Sequence, residues 1–292
     1  MEDSPAEGTS AEGSPVQSSP VEGRRPPVFG RPSPAAARPT PLRQRAHEGT
    51  AAYRAEGGDR GALAVRAATV TGLRHRLAGA GGQDAFGWSS ASGAVALSVA
   101  DGVSAVEGSE GAANLAAVAA ADSLAEMCDQ TGFPGGKAVA VSLKAASSAL
   151  VAAGWREPAT TLVAAVVGEE GRWSVGRVGD STALVCGSSG WRGVFEEVEE
   201  GNGESLVTPA TDALPADLTP QTAEGTLGAG EALILLSDGV AGPLLDGPET
   251  VAPELAAALA DPPDPVQLAL LADFQRQGCM DDRTIAGVWF LP

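Results

Sequence analysis

The chain has 292 residues, a formal net charge of −18 at pH 7 and a sequence pI of about 4.4. So acidic a protein repels nucleic acid phosphates and anionic lipid headgroups, which argues against both as partners. The three cysteines form no CxxC pair, which argues against a zinc site or a disulfide framework and fits a reducing compartment.

The N-terminal segment differs in composition from the rest of the chain. Nine of the 21 prolines precede Leu42, interleaved with Ser, Gly, Glu and Arg. A segment of this kind cannot bury enough apolar surface to offset the entropy cost of ordering its backbone. We therefore predict a disordered tail over residues 1–60 and one folded domain over residues 61–292. No signal peptide or membrane-spanning apolar run is evident, so we expect a cytoplasmic protein.

Beyond the tail, apolar runs and breaker residues predict strands and helices in groups. The stretch at 196–225 is acidic, contains proline and predicts a long loop. Strand groups separated by paired helices favour an α+β layered domain over a βαβ alternation. No glycine-rich phosphate loop or GxSxG motif supports a nucleotide-binding protein or a serine hydrolase. In chain order the predicted elements are a strand at 63–73, a strand at 93–100, helices at 110–127 and 137–153, strands at 160–167, 173–178, 182–186 and 232–236, helices at 254–260 and 266–277, and a strand at 284–290.

Five aspartates share one context, the end of an apolar strand or the turn beside it. A single Asp-Gly pair is most often a turn former, and that interpretation stays open for each one alone. Five together favour a cation site, because a carboxylate at the edge of a buried strand needs a compensating charge or donor. Oxygen ligands without His or Cys suit Mg²⁺ or Mn²⁺ rather than zinc. The five are Asp84 in QDAF, Asp101 in VADGV, Asp180 in GDS, Asp238 in LLSDGV and Asp281 in CMDDRT.

The order of these motifs, with a TTL strand between VADGV and GDS, resembles the metal-dependent protein phosphatase family of type 2C, in a bacterial branch. The resemblance covers Ala64 to Phe290. It implies two packed antiparallel β-sheets flanked by helix pairs. It also implies hydrolysis of phosphoserine and phosphothreonine in proteins by a metal-activated water, with Mn²⁺ or Mg²⁺ as cofactor and a phosphorylated protein as substrate.

Site roles follow from the same resemblance. Asp101 would bridge two cations, and the carbonyl of Gly102 would bind one of them. Asp238 and Asp281 would complete the ligand shell of the first cation. Asp180 would lie near a third, weaker site. Asp84 would orient water from just outside the direct shell, and Asp282 matches a position that is not a ligand. Arg76 is the nearest candidate for binding the substrate phosphate, with a solvated surface charge as the alternative.

Departures from the family pattern leave a second function open. Gln83 replaces an acid that usually precedes Asp84, and Val103 stands in a segment where many relatives have a histidine. Both changes favour a catalytically weak or inactive protein that binds phosphoproteins or a regulatory partner. Retention of the mutually repelling aspartates favours an active enzyme. His75 either assists the reaction or satisfies a local backbone group.

Overall fold

The computed structural model describes residues 53–195, 212–216, 219–245, 251–274 and 276–292. The strands in these residues are β1 Tyr53–Arg60, β2 Leu63–Val70, β3 Ala85–Ala91, β4 Ala94–Ala100, β5 Leu162–Gly168, β6 Arg172–Val178, β7 Thr182–Gly187, β8 Gly190–Gly193, β9 Gln221–Thr226, β10 Ala232–Leu236 and β11 Arg283–Phe290. The helices are α1 Leu73–Ala78, α2 Ser109–Thr131, α3 Gly136–Ala152, α4 Asp238–Leu245, α5 Ala252–Ala258 and α6 Pro265–Ala272.

The strands form two antiparallel sheets that pack face to face. One sheet has the order β1-β2-β11-β10-β7-β8 and the other the order β3-β4-β5-β6-β9. Strand β4 illustrates how the sequence builds both faces of its sheet. Its larger residues, Val95, Leu97 and Val99, point into the core between the sheets, whereas its alanines face the helical layer. Alternation along a strand sends successive side chains to opposite faces, so a strand buried on both sides is apolar throughout.

Alanine-rich α2 packs closely on the outer face of the five-stranded sheet, beside α3. The Oγ of Ser98 donates a hydrogen bond of 2.7 Å to the carbonyl of Ala117. A Cβ on Gly87 would lie 2.5 Å from that same carbonyl oxygen, so only glycine permits this approach. Small side chains on both elements therefore set the distance between helix and sheet.

Helices α4, α5 and α6 cover the outer face of the six-stranded sheet and bury a third apolar cluster that includes Ile234, Leu244 and Trp289. The layers are thus helix, sheet, sheet, helix, and the predicted fold class is confirmed. Within the described parts of the chain, no helix is both long enough and apolar enough to cross a membrane.

Several details of the prediction are wrong, and β3, β8 and α4 were not predicted. Tyr53–Arg60 forms β1, paired with β2 along its whole length, so the folded domain includes residues 53–60. The predicted loop at 196–225 contains β9 at its C-terminal end, while residues 196–211 and 217–218 lie outside the described residues. The opening strand ends at Val70, and Leu73 begins α1 with Gly72 as its N-cap in an extended conformation. Residues 1–52 of the predicted tail also lie outside the described residues.

Candidate metal centre

The five aspartates stand where strands end or begin at one end of the two sheets. Asp101 follows β4, Asp180 lies between β6 and β7, and Asp238 follows β10 as the first residue of α4. Asp84 directly precedes β3, and Asp281 lies two residues before β11. Electrostatic interactions link them, because Asp84, Asp180 and Asp238 all act on Asp101, and Asp281 acts on Asp238. The structure thus places all five at one end of the sheets, linked pairwise by electrostatic interactions.

Asp84 is a buried carboxylate held by two hydroxyl groups. Its Oδ2 accepts hydrogen bonds from the Oγ of Ser237 at 2.6 Å and from the Oγ1 of Thr284 at 2.9 Å. Burial, and then the charge of Asp282, raise the pKa of Asp84 to about 7, against the lowering effect of the two hydroxyls. Such a group can hold or release a proton near neutral pH.

Asp101 and Asp238 interact through their charges and through a side-chain hydrogen bond. Burial raises the pKa of Asp101 to about 11, with added contributions from the charges of Asp84 and Asp238. Burial also raises the pKa of Asp238, although its side chain reaches solvent and although the hydrogen bond with Asp101 acts in the opposite direction. Two carboxylates this close can avoid repulsion by sharing a proton, and a bound cation would compensate the same charges.

Arg76 does not join the aspartates, which corrects its predicted position. Its Nη2 lies 2.7 Å from Oδ1 of Asp273, and Tyr53 donates a hydrogen bond of 2.7 Å to the same carboxylate. Although burial acts to raise it, the hydrogen bonds from Arg76 and Tyr53 lower the pKa of Asp273. Arg76 therefore ties α1 to the end of α6.

Arg74 occupies the position beside the metal centre instead. Its Nη2 lies 3.1 Å from Oδ1 of Asp281 and donates a hydrogen bond of 2.8 Å to the Oγ of Ser104. Residues two positions apart on a helix point to opposite sides, so α1 can direct only one of Arg74 and Arg76 toward the aspartates. Arg74 is half exposed and presents guanidinium donors at the mouth of the site.

Asp282 fixes the loop that carries Asp84. This buried carboxylate accepts hydrogen bonds from the backbone N–H groups of Gly72 and Gln83, both at 2.6 Å, and lies 2.9 Å from Nδ1 of His75. Three partners from the segment between β2 and β3 satisfy a carboxylate that would otherwise be costly to bury. Its expected place outside the metal shell agrees with this role in holding the turn.

Gly102 lies at one end of a short row of three paired backbone segments. It forms a bridge with Thr160, whose other neighbour is Leu214. The flanking hydrogen bonds run from Val103 N–H to the carbonyl of Ala159 and from Thr161 N–H to the carbonyl of Asp101. The bridge therefore uses neither the N–H nor the carbonyl of Gly102. A Cβ at Gly102 would lie 2.8 Å from the carbonyl oxygen of Gln83, so the position requires glycine.

The donor chemistry of the site fits a hard divalent cation. The converging groups are carboxylates, and the Oε1 of Gln83 is a buried oxygen for which the described residues provide no hydrogen-bond partner. Among the described residues, no group of three or more His, Cys, Asp or Glu side chains is arranged to hold a metal ion as it stands. Binding would therefore require carboxylate rotations, including the release of Asp281 from Arg74. Oxygen donors of this kind suit Mg²⁺ or Mn²⁺.

Several residues of the site were missed by sequence reasoning. Ser237 and Thr284 adjoin predicted aspartate motifs, so their position beside those motifs was the available signal. Arg74 could not be distinguished from Arg76, because the choice depends on which side of α1 faces the site. Nothing in the sequence indicated that Asp282 would accept hydrogen bonds from the turn near Gly72, which is 210 residues away.

A model of the family described as protein phosphatase 2C matches residues 71–274. The Mycobacterium tuberculosis serine/threonine phosphatase PstP/Ppp has a similar structure, with 21% identity, a TM-score of 0.54 and coverage of 79% of this chain and 99% of that one. A structure of the PstP catalytic domain with two manganese ions gives 22% identity, the same TM-score and the same coverage. RsbX in complex with magnesium gives 12% identity, a TM-score of 0.52 and coverage of 80% and 98%. At these identities the likeness concerns the fold. The comparison with curated proteins gives no match.

Proposed function

Because the chain belongs to the protein phosphatase 2C family, we propose that it hydrolyses phosphoserine and phosphothreonine in proteins, with Mn²⁺ or Mg²⁺ as cofactor. The convergence of Asp84, Asp101, Asp180, Asp238 and Asp281 is the observation that carries the proposal. So many carboxylates repel one another unless protons or cations compensate them, and their arrangement therefore favours a cation site over a purely structural role.

The ligands would come from four separate strand ends. Asp101, the carbonyl of Gly102, Asp238 and Asp281 would hold two cations, with Asp180 near a third and weaker site. When bound, such cations neutralise the charge of a phosphate group and activate water for attack on phosphorus. The Gly102 carbonyl is suited to binding a cation because the backbone bridge between Gly102 and Thr160 does not use it as a hydrogen-bond acceptor.

The remaining side chains position the substrate and the proton acceptor. Ser237 and Thr284 fix the orientation of Asp84, whose carboxylate would accept a proton from the attacking water. Arg74 would bind the substrate phosphate once Asp281 turns from its guanidinium toward a cation, because a planar fork of N–H donors matches phosphate oxygens. Asp282 fixes the positions of Gln83 and Asp84 because it accepts a hydrogen bond from the backbone N–H of Gln83.

A binding protein without catalysis is the second candidate function. Gln83 favours it, because the amide supplies no negative charge where relatives carry an acid. The Nε2 of Gln83 donates a hydrogen bond of 2.8 Å to the Oγ of Ser109, which leaves its Oε1 as a neutral oxygen that could bind a cation. A neutral oxygen would hold a cation more weakly than a carboxylate does.

Hydrolysis of p-nitrophenyl phosphate and of a phosphothreonine peptide distinguishes the two candidates. We expect turnover of both with millimolar-scale Mn²⁺, loss of turnover in EDTA, and loss in Asp238→Asn. Activity that survives exhaustive chelation contradicts the metal centre. A wild-type protein that binds the phosphopeptide but releases no phosphate at any Mn²⁺ concentration supports the binding protein instead.

A further inference from the structure

A groove of about 430 Å³ lies beside the metal centre, between α3 and the segment that contains Pro215. One wall is a single face of α3, because Lys144, Ser147 and Val151 are spaced by three and four residues. The groove is also lined by Trp155 and Arg156, which follow α3. The opposite wall is held in place because the Oγ of Ser147 exchanges hydrogen bonds with the backbone of Ala216.

The backbone bridges place this groove at a defined distance from the metal centre. Gly102 pairs with Thr160, and Thr160 pairs with Leu214, the residue before Pro215. Neighbouring strands lie about 4.8 Å apart, so two successive pairings set Leu214 about 10 Å from Gly102. An extended peptide advances about 3.3 Å per residue, so three or four residues would cover this distance.

Trp155 connects the groove to the loop that follows Gly102. A Cβ on Gly108 would lie 3.5 Å from the Trp155 ring, and Gly111 comes within 4.0 Å of it by the same measure. The partly buried Trp155 ring packs against the apolar cluster that α2 and α3 share, and this packing fixes it as one wall of the groove. The groove and the metal centre are thus connected by one short loop, which begins after Gly102 and contacts Trp155 at Gly108.

The charge of the groove is opposite to that of the domain around it. Lys144 and Arg156 line it, and none of the described lining residues is a carboxylate. Arg156 is anchored, because its Nη1 donates hydrogen bonds to the carbonyls of Val151 and Trp155 at 2.7 and 2.9 Å. Glu157 is the adjacent acid in the chain, but it is not among the residues that line the groove. In a chain of net charge −18, this local pair of cations would attract an anionic group.

We propose that this groove binds an anionic side chain of the protein substrate, three or four residues from the phosphorylated residue that enters the metal centre. The inference rests on the proposed function and adds a substrate preference to it. The anionic side chain is a carboxylate or a second phosphate, since both accept hydrogen bonds from Lys144 and Arg156. Trp155 packs against the peptide between the two subsites.

Phosphopeptides with one variable position test the proposal. Each peptide carries one phosphoserine as the residue to be hydrolysed. At the third or fourth residue on either side of it, the peptide carries Glu, a second phosphoserine or Ala. We expect the wild type to show a kcat/KM about three- to tenfold higher for an anionic residue than for Ala at one of these positions, as two partly exposed ion pairs would give. The Glu and phosphoserine peptides show which anion is preferred.

For each variant, the measured quantity is kcat/KM for the anionic peptide divided by kcat/KM for the Ala peptide. A change that affects activity on both peptides equally cancels in this ratio. In Lys144→Ala and Arg156→Ala the ratio falls toward one. Lys144→Ala removes no hydrogen bond that the structure shows, so it remains informative if the loss of the Arg156 hydrogen bonds unfolds the end of α3. Lys137→Ala is the matched control, because Lys137 lies on α3 but lines a different cavity. It keeps the wild-type ratio.

The possible failures are distinguishable. A wild type that hydrolyses p-nitrophenyl phosphate but shows no anionic preference at any of the positions overturns this inference alone. The same holds if the preference persists unchanged in Lys144→Ala, or if Lys137→Ala abolishes it equally. A wild type that hydrolyses neither p-nitrophenyl phosphate nor any phosphopeptide overturns the proposed function and this inference with it.

Discussion

Replacing Asp101 with asparagine should stabilise the metal-free protein while it removes activity. Burial raises the pKa of Asp101 from 3.8 to about 11, so at pH 7 the folded protein keeps a proton that the unfolded chain releases. The roughly three pKa units between 3.8 and pH 7 correspond to about 4 kcal/mol of lost stability, at about 1.4 kcal/mol per unit. Asparagine is permanently neutral. Because Asp101 is not fully enclosed, we expect a gain on the order of 2–4 kcal/mol, or about 5–10 °C in Tm.

The dependence on pH has a definite sign. A folded-state pKa above the unfolded value means that the folded protein binds more protons, so the contribution of these two carboxyl groups to metal-free stability is largest at acidic pH and falls as the pH rises. For Asp84 the loss develops between pH 4 and about 7, and for Asp101 it continues above pH 7. The Asp101→Asn variant should therefore show a flatter decline of Tm with pH than the wild type does.

Calorimetry with and without Mn²⁺ measures both effects. Mn²⁺ should raise the Tm of the wild type by mass action and raise that of Asp101→Asn much less, and turnover should fall at least about a hundredfold. Asp261→Asn, at an exposed position, controls for the loss of one negative charge and should change neither. An Asp101→Asn protein with a lower metal-free Tm, full stabilisation by Mn²⁺ and near-normal turnover would refute the reasoning.

Three further predictions concern the boundary and the mouth of the site. Removal of residues 1–52 should leave Tm and p-nitrophenyl phosphate turnover unchanged, whereas removal of residues 1–60 deletes β1 and should lower Tm by several degrees in a thermal melt; a large loss from the shorter deletion would show that the tail contributes contacts. Arg74→Ala should raise KM for phosphate esters about tenfold or more, whereas Arg76→Ala should chiefly lower Tm, and the reverse pattern would restore the phosphate role to Arg76. Gln83→Glu should lower the Mn²⁺ concentration for half-maximal rate, and a rise would contradict a role for this position near the cation.

The sequence predicted those elements whose pattern is local and strong. Strand β10 was predicted with its observed bounds, because ALILL is a continuous apolar run between turn residues. Strand β9 was missed because alanine is the one apolar side chain in QTAEGT and the strand lies at the edge of its sheet, where half of its residues face solvent. Strand β1, with the sequence YRAEGGDR, is also an edge strand, and it forms because β2 supplies the pairing. Edge strands carry little hydrophobic pattern of their own.

In the candidate site, too, the sequence predicted residues that stand in a local pattern and missed contacts between distant parts of the chain. Asp101, Asp180 and Asp238 could be singled out because each directly follows or adjoins an apolar run. The contacts that set their chemistry could not, since Asp84 is held by Ser237 and Thr284, which are 153 and 200 residues away in the chain. Which of two arginines faces the aspartates depends on the orientation of a six-residue helix with no buried residue to fix its phase.

The pairing of β2 with β11 has a consequence for biogenesis. Leu63 pairs with Phe290 and Val70 with Arg283, so two neighbouring strands of one sheet come from opposite ends of the folded domain. Closing so long a loop is entropically costly, and contacts between distant positions slow folding. During synthesis β2 can form its hairpin with β1 early, but its other edge stays open until β11 leaves the ribosome. Asp281 emerges at the same late moment, so the proposed metal centre would lack one of its ligands while the sheet is only partly formed.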